Sequence, residues 1–124
     1  MDLKNKIVSV IGLGKTGVAT ANYLARRGSK VSIMDNKTYD QLSELTGQLL
    51  PGIEAIYQNS EPLPNSDLIV ISPSVDIESD FLKSSRQKGT EIISEIELAS
   101  RLNSASLIGI TGTNGKSTCT SLIN

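Results

Sequence analysis

Histidine and tryptophan are both absent from this 124-residue chain, and cysteine occurs once, at Cys119. With one cysteine and no histidine, neither a zinc site of the usual ligands nor a histidine-based triad can be built within the chain. An internal disulfide is excluded for the same reason. Aromatic residues make up 3% of the sequence, too few for a platform that stacks bases. Neither sign of charge prevails: 12 basic residues face 13 acidic ones, for a net charge of −1. That balance argues against a nucleic-acid partner. No apolar run approaches the roughly 18 residues of a membrane span. Met1-Asp2-Leu3-Lys4 lacks the apolar region of a secretion signal. The expectation is a cytoplasmic protein with no membrane insertion. At 38% hydrophobic, the chain has enough apolar side chains for a modest core.

What is present alternates between two periods. Lys6 to Ile11 is a short β-branched run, expected as a strand buried on both faces. Val18, Ala21, Leu24 and Ala25 then recur at helical spacing, closed by Arg26, Arg27 and Gly28. Val31 to Met34 reads as a second strand ending at Asp35. Thr38 and Gln41 form a capping-box pair ahead of Leu42, Leu45 and Leu49, a helix expected to break near Pro51-Gly52. Ile53 to Tyr57 and Asp67 to Ser72 are further strands, separated by a Pro62, Pro64, Asn65 loop. A helix is expected from about Ser79 to Lys88, with Asp80, Lys83, Arg86 and Lys88 on a solvated face. Glu91 to Ile93 is a strand. Ser94 and Glu97 cap a helix that carries Ile96, Ala99 and Leu102. Leu107 to Ile110 is a last strand.

The order predicts an α/β chain with a doubly wound, mostly parallel, Rossmann-like sheet of about five strands. The best boundary lies at Asn103-Ser104-Ala105-Ser106. Residues 1–103 form one domain in this reading. Residues 104–124 supply the first strand and phosphate loop of a truncated second domain, so a fragment is expected.

Two motifs carry chemistry. Gly12-x-Gly14-x-x-Gly17 lies between the first strand and the first helix. Gly12 serves a tight turn, Gly14 the approach of a diphosphate, and Gly17 the close packing of helix on strand. The helix N-terminus offers free N–H groups to an anion. Asp35 stands about twenty residues on, where such folds place a carboxylate for ribose or base. NAD, FAD or a nucleotide sugar would all satisfy this pattern. Lys15 and Thr16 lie inside the loop, and Lys15 reads either as a counter-charge to the anion or as a solvated lysine. Asn36 and Lys37, and Ser72-Pro73-Ser74, end strands on the same edge if the sheet is parallel.

The second motif is Thr111-Gly112-Thr113-Asn114-Gly115-Lys116-Ser117-Thr118. It departs from G-x-x-x-x-G-K-S/T, because Ile110 stands where the first glycine belongs. Its backbone N–H groups can still ring a phosphate. Lys116 can reach the β- and γ-phosphates, and Ser117 or Thr118 can hold Mg²⁺. Cys119 reads as small core filler.

Together the two motifs resemble the Mur ligases, ATP-dependent amide-bond ligases of peptidoglycan synthesis. Ile11 to Gly17, Asp67 to Ser74 and Glu95 to Leu98 carry the likeness, and the first loop is similar to the D-glutamate-adding branch. Ser74 stands where glycine is commoner in that family, and Lys15 where an apolar residue is frequent. The resemblance implies a substrate, UDP-N-acetylmuramoyl-L-alanine, whose UDP part the first domain holds. Gly14, Lys15 and Thr16 would meet the diphosphate. Asp35, Asn36 and Lys37 would hold the uracil and nearby groups, with Ser72, Pro73 and Ser74 lining the same pocket. Gly112, Thr113, Asn114, Gly115, Lys116, Ser117 and Thr118 would bind ATP, with Ser117 on Mg²⁺. D-glutamate is the second substrate, no catalytic residue falls in this stretch, and the chain alone is expected inactive. An NAD-binding oxidoreductase or regulatory domain is the competing reading, supported by the first loop and opposed by the second.

Overall fold

A computed structural model of the chain describes residues 1–59, 62 and 65–103. Strands β1 (Ile7–Ile11), β2 (Lys30–Asp35), β3 (Glu54–Tyr57), β4 (Leu68–Ile71) and β5 (Glu91–Ser94) form one five-stranded sheet in the order β3-β2-β1-β4-β5. Every pairing is parallel. The expected α/β, Rossmann-like doubly wound sheet is therefore present in residues 1–103. The further strand and phosphate loop expected over 104–124 lie outside the described residues.

The two central strands follow from their composition. Val8, Val10, Ile69 and Val70 are fully buried, because a parallel sheet is covered on both faces. Helices α1 (Lys15–Arg26), α2 (Tyr39–Thr46) and α4 (Glu95–Leu102) cover one face, over Val10, Val18, Leu24, Ile33, Leu42 and Leu98. On the other face, Ile11, Met34, Ile69 and Ile71 pack with Leu82 and Phe81. Ser9, fully buried, would leave a polar hole, but its hydroxyl meets Ser66 Oγ at 2.7 Å and Ser32 Oγ at 3.4 Å.

Helix α1 buries the expected Val18, Ala21 and Leu24, and turns at Gly28, whose φ of +89° favours glycine. The capping box of α2 forms, with Gln41 Oε1 accepting the Thr38 N–H at 3.0 Å. That helix stops at Thr46, earlier than expected, where the poor helix former Gly47 follows. Leu49 still packs on the core from the turn beyond.

Two expectations need correction. The segment from Ser79 to Lys88 is not one helix: a 3₁₀ turn, Asp80–Leu82, precedes the short α3 (Lys83–Gln87). The tighter turn sets the Leu82 side chain fully into the second core. In α4, Ile96 is 73% exposed rather than inward, and Ala99 is exposed too. Leu98 is buried and Leu102 packs on the same core. Two leucines at i, i+4 bury more apolar area than an isoleucine and an alanine at i, i+3, so they fix the helix rotation.

Candidate functional site

A parallel sheet brings the carboxyl ends of β1, β2 and β4 to one edge. Where β1 borders β4 the order of strands reverses, and a crevice opens outside the strand ends. The glycine loop lies there. Gly12 has φ of +107°, and a Cβ on it would stand 2.6 Å from Ser72 Cβ. A Cβ on Gly17 would stand 2.0 Å from the Gly12 carbonyl oxygen, so the helix packs on its own loop only without a side chain. Gly14 is the N-cap of α1, extended at φ −113°, with open space where its side chain would be. No side chain caps the helix there, so its first N–H groups remain available to an anion.

Asp35 ties two parts of the site together. Its Oδ2 accepts the Leu13 N–H at 2.9 Å and its Oδ1 accepts the Lys37 N–H at 3.0 Å. One carboxylate thus fixes both the glycine loop and the turn after β2. Beside it opens a cleft of about 480 Å³. Asp35, Asn36, Lys37 and Ser74 line it, together with Gly12.

The other expected residues stand outside that lining. Lys15 and Thr16 are exposed at the start of α1, directly after Gly14. Ser72 and Pro73 line an adjoining groove that runs toward β5. The Ser72 hydroxyl lies 3.2 Å from that of Ser74, so the two surfaces meet along this pair. Gly112, Thr113, Asn114, Gly115, Lys116, Ser117 and Thr118 lie outside the described residues. Among the described residues no group of three or more His, Cys, Asp or Glu could hold a metal ion. No described helix is long and apolar enough to cross a membrane.

Sequence reasoning missed further lining residues of the cleft, Asn59 beyond β3 and Val75, Asp76, Ser79 and Phe81 beyond β4. An Asp three residues before a Ser was the available signal for a turn. Asp76 Oδ1 accepts the Glu78 N–H at 2.9 Å, and its carbonyl accepts the Ser79 N–H at 3.1 Å. Arg86 was read as a solvated cation; instead its guanidinium donates to the carbonyls of Ile77, Glu78 and Ser79. A separate cleft of about 440 Å³ lies between α1 and α4, lined by Tyr23 and Leu98 among others.

Residues 6–94 match the family model of the Mur ligase MurD-like N-terminal domain. The chain is 41% identical over 125 residues to the UDP-N-acetylmuramoylalanine–D-glutamate ligase of Koribacter versatilis (strain Ellin345). It is 44% identical over 128 residues to the ligase of the same name from Pelobacter propionicus (strain DSM 2379 / NBRC 103807 / OttBd1). Both alignments cover 98% of this chain and 28% of the relative, so the chain spans a little over a quarter of their length. Among solved structures, a pseudomurein peptide ligase type C from Methanothermus fervidus is similar at a TM-score of 0.57 and 27% identity. That likeness covers 92% of this chain and 24% of the other. An S-adenosylmethionine-dependent methyltransferase from Mesorhizobium loti, at 15% identity and a TM-score of 0.54, shares the fold alone. The family match begins just before β1 and ends at the last residue of β5, taking in the glycine loop, Asp35 and the Ser72–Ser74 turn on the way; the chain belongs to the Mur ligase family, as a MurD-like N-terminal domain.

Proposed function

We propose that this chain is the N-terminal part of an ATP-dependent ligase that adds D-glutamate to UDP-N-acetylmuramoyl-L-alanine, and that its sheet domain holds the UDP part. The observation that carries the reading is one edge of the sheet. An uncapped helix start at Gly14 stands beside a cleft lined by Asp35, Asn36, Lys37 and Ser74. The backbone N–H groups of Lys15 and Thr16 would take the diphosphate, aided by the partial positive charge of the helix end. Asn36 and Lys37 offer amide and ammonium groups to the uracil, while Asp35 keeps the turn that presents them. Ser72 and Pro73 would line the path from the cleft toward the sugar. In the whole ligase, Gly112 to Thr118 would bind ATP and Mg²⁺, which supply activation of the substrate carboxylate. The share of this domain is to hold the nucleotide end still, so that the carboxylate is positioned for that activation and for attack by the D-glutamate amine. No turnover is expected from residues 1–124 alone.

The test is a UDP titration of the ¹⁵N-labelled chain. Amide shifts should concentrate at Gly14 to Gly17, Asn36, Lys37 and Ser74. Shifts confined to the α1–α4 cleft, at Ala19, Tyr23 and Leu98, would contradict the reading.

A further inference from the structure

One side chain fastens the loop after β4 that helps to line the cleft. Arg86 of α3 donates through Nη1 to the carbonyls of Ile77 and Ser79, the latter at 3.1 Å, and through Nη2 to that of Glu78 at 3.3 Å. Three consecutive carbonyls converge on one planar guanidinium. An ammonium on a flexible stem cannot reproduce that fork. Arg86 has no carboxylate partner among the described residues, so its charge is met by carbonyl dipoles alone.

The fastened loop leads straight into the nucleotide cleft, which Ser74, Val75, Asp76 and Ser79 line. Ser79 donates its N–H to Asp76 and uses its carbonyl for Arg86 and for the Leu82 N–H. Its hydroxyl is left over. Ser79 Oγ is shut away from solvent, has no hydrogen-bond partner among the described residues, and does not cap the 3₁₀ turn that it precedes. A buried hydroxyl without a partner is rare in native proteins, and no hydrogen bond holds this one in its present rotamer. The cleft that Ser79 lines also takes in the β2 turn, Asp35 to Lys37, but not Lys15 or Thr16 at the α1 start, so a ligand group within reach of its hydroxyl belongs to the nucleoside end.

We propose that Ser79 is a contact for the nucleoside part of the bound nucleotide and that Arg86 is the positioning residue that sets it there. The assignment rests on the reading of this cleft as a UDP site. The guanidinium fixes residues 77–79 and with them the Ser79 backbone at the cleft, and rotation about the Ser79 χ1 carries the hydroxyl from its closed position to a polar edge of the uridine.

Calorimetric and NMR titrations of the 124-residue chain with UDP, uridine and inorganic pyrophosphate test it. Ser79→Ala should weaken UDP and uridine by the same factor, about five- to tenfold, the worth of one hydrogen bond. Pyrophosphate binding should not change. Arg86→Ala should weaken uridine about tenfold, and millimolar guanidinium should restore it, whereas Lys88→Ala should do neither. If Arg86→Ala does not fold, Arg86→Lys takes its place and should lose several-fold in uridine affinity. Wild-type uridine affinity in folded Ser79 and Arg86 variants, an equal loss for pyrophosphate, or no rescue by guanidinium would overturn the assignment. A wild-type chain that binds no UDP would instead overturn the reading of the cleft itself.

Discussion

Gly17 has no room for a methyl group. A Cβ there would lie 2.0 Å from a backbone oxygen of its own loop, and backbone cannot swing aside as a side-chain tip can. Gly17→Ala should therefore cost about 1–3 kcal/mol and lower the urea midpoint, as overpacking does elsewhere. Gly14 is the opposite case. Its backbone is extended and its Cβ would meet open space, so Gly14→Val should lose less than about 1 kcal/mol of stability, the scale of a poorer N-cap. The same variant should weaken UDP at least about tenfold, because the branched side chain stands where the diphosphate approaches. Calorimetry on the folded variant checks it, and unchanged affinity would move the diphosphate elsewhere. The glycines were legible because their spacing has one physical meaning between a strand and a helix. The double role of Asp35 was not, since its partners Leu13 and Lys37 are backbone N–H groups that sequence cannot orient. Arg86 was misread for the same reason: three carbonyl acceptors leave no trace in a charge pattern.

At the scale of elements, α4 shows how two plausible stripes compete. Ile96, Ala99 and Leu102 satisfy helical spacing, yet Leu98 is the side chain that is buried. Leu98→Ala should cost about 2–4 kcal/mol, whereas Ile96→Ser should stay within about 0.5 kcal/mol. Urea unfolding of both variants decides between the two rotations. Arg101 closes this helix against β5, bonding to Glu97 at 2.9 Å and to Glu91. Hydrogen bonds to Glu97 and then to Glu91 raise its pKa above the ordinary guanidinium value. A raised folded pKa contributes stability that is fully present below the unfolded value and is lost only as pH rises through the folded one. The difference in urea midpoint between wild type and Arg101→Ala should therefore be constant from about pH 6 to pH 9. A drift across that window would mean that another group titrates against Arg101. Helix ends were legible where caps stand in the sequence, as at Thr38 and Ser94. They were not where a 3₁₀ turn replaces an α-turn to bury Leu82, because both share the i, i+3 pattern.

Across the whole molecule, the alternation of buried strands and helices made a doubly wound parallel sheet legible, but not its strand order, since more than one order suits that alternation. In the order β3-β2-β1-β4-β5 the five parallel strands set the glycine loop, Asp35 and Ser74 around one crevice. Fold alone does not choose the ligand, since the same sheet serves dinucleotides and nucleotide sugars alike. UDP is the ligand proposed for this crevice. Melting of the 124-residue chain with UDP or NAD at equal concentrations tests it most directly. At about a hundredfold excess over Kd, UDP should add about 2.7 kcal/mol, a rise of several degrees in Tm. NAD should shift it less. A rise with NAD equal to or greater than that with UDP would contradict the account.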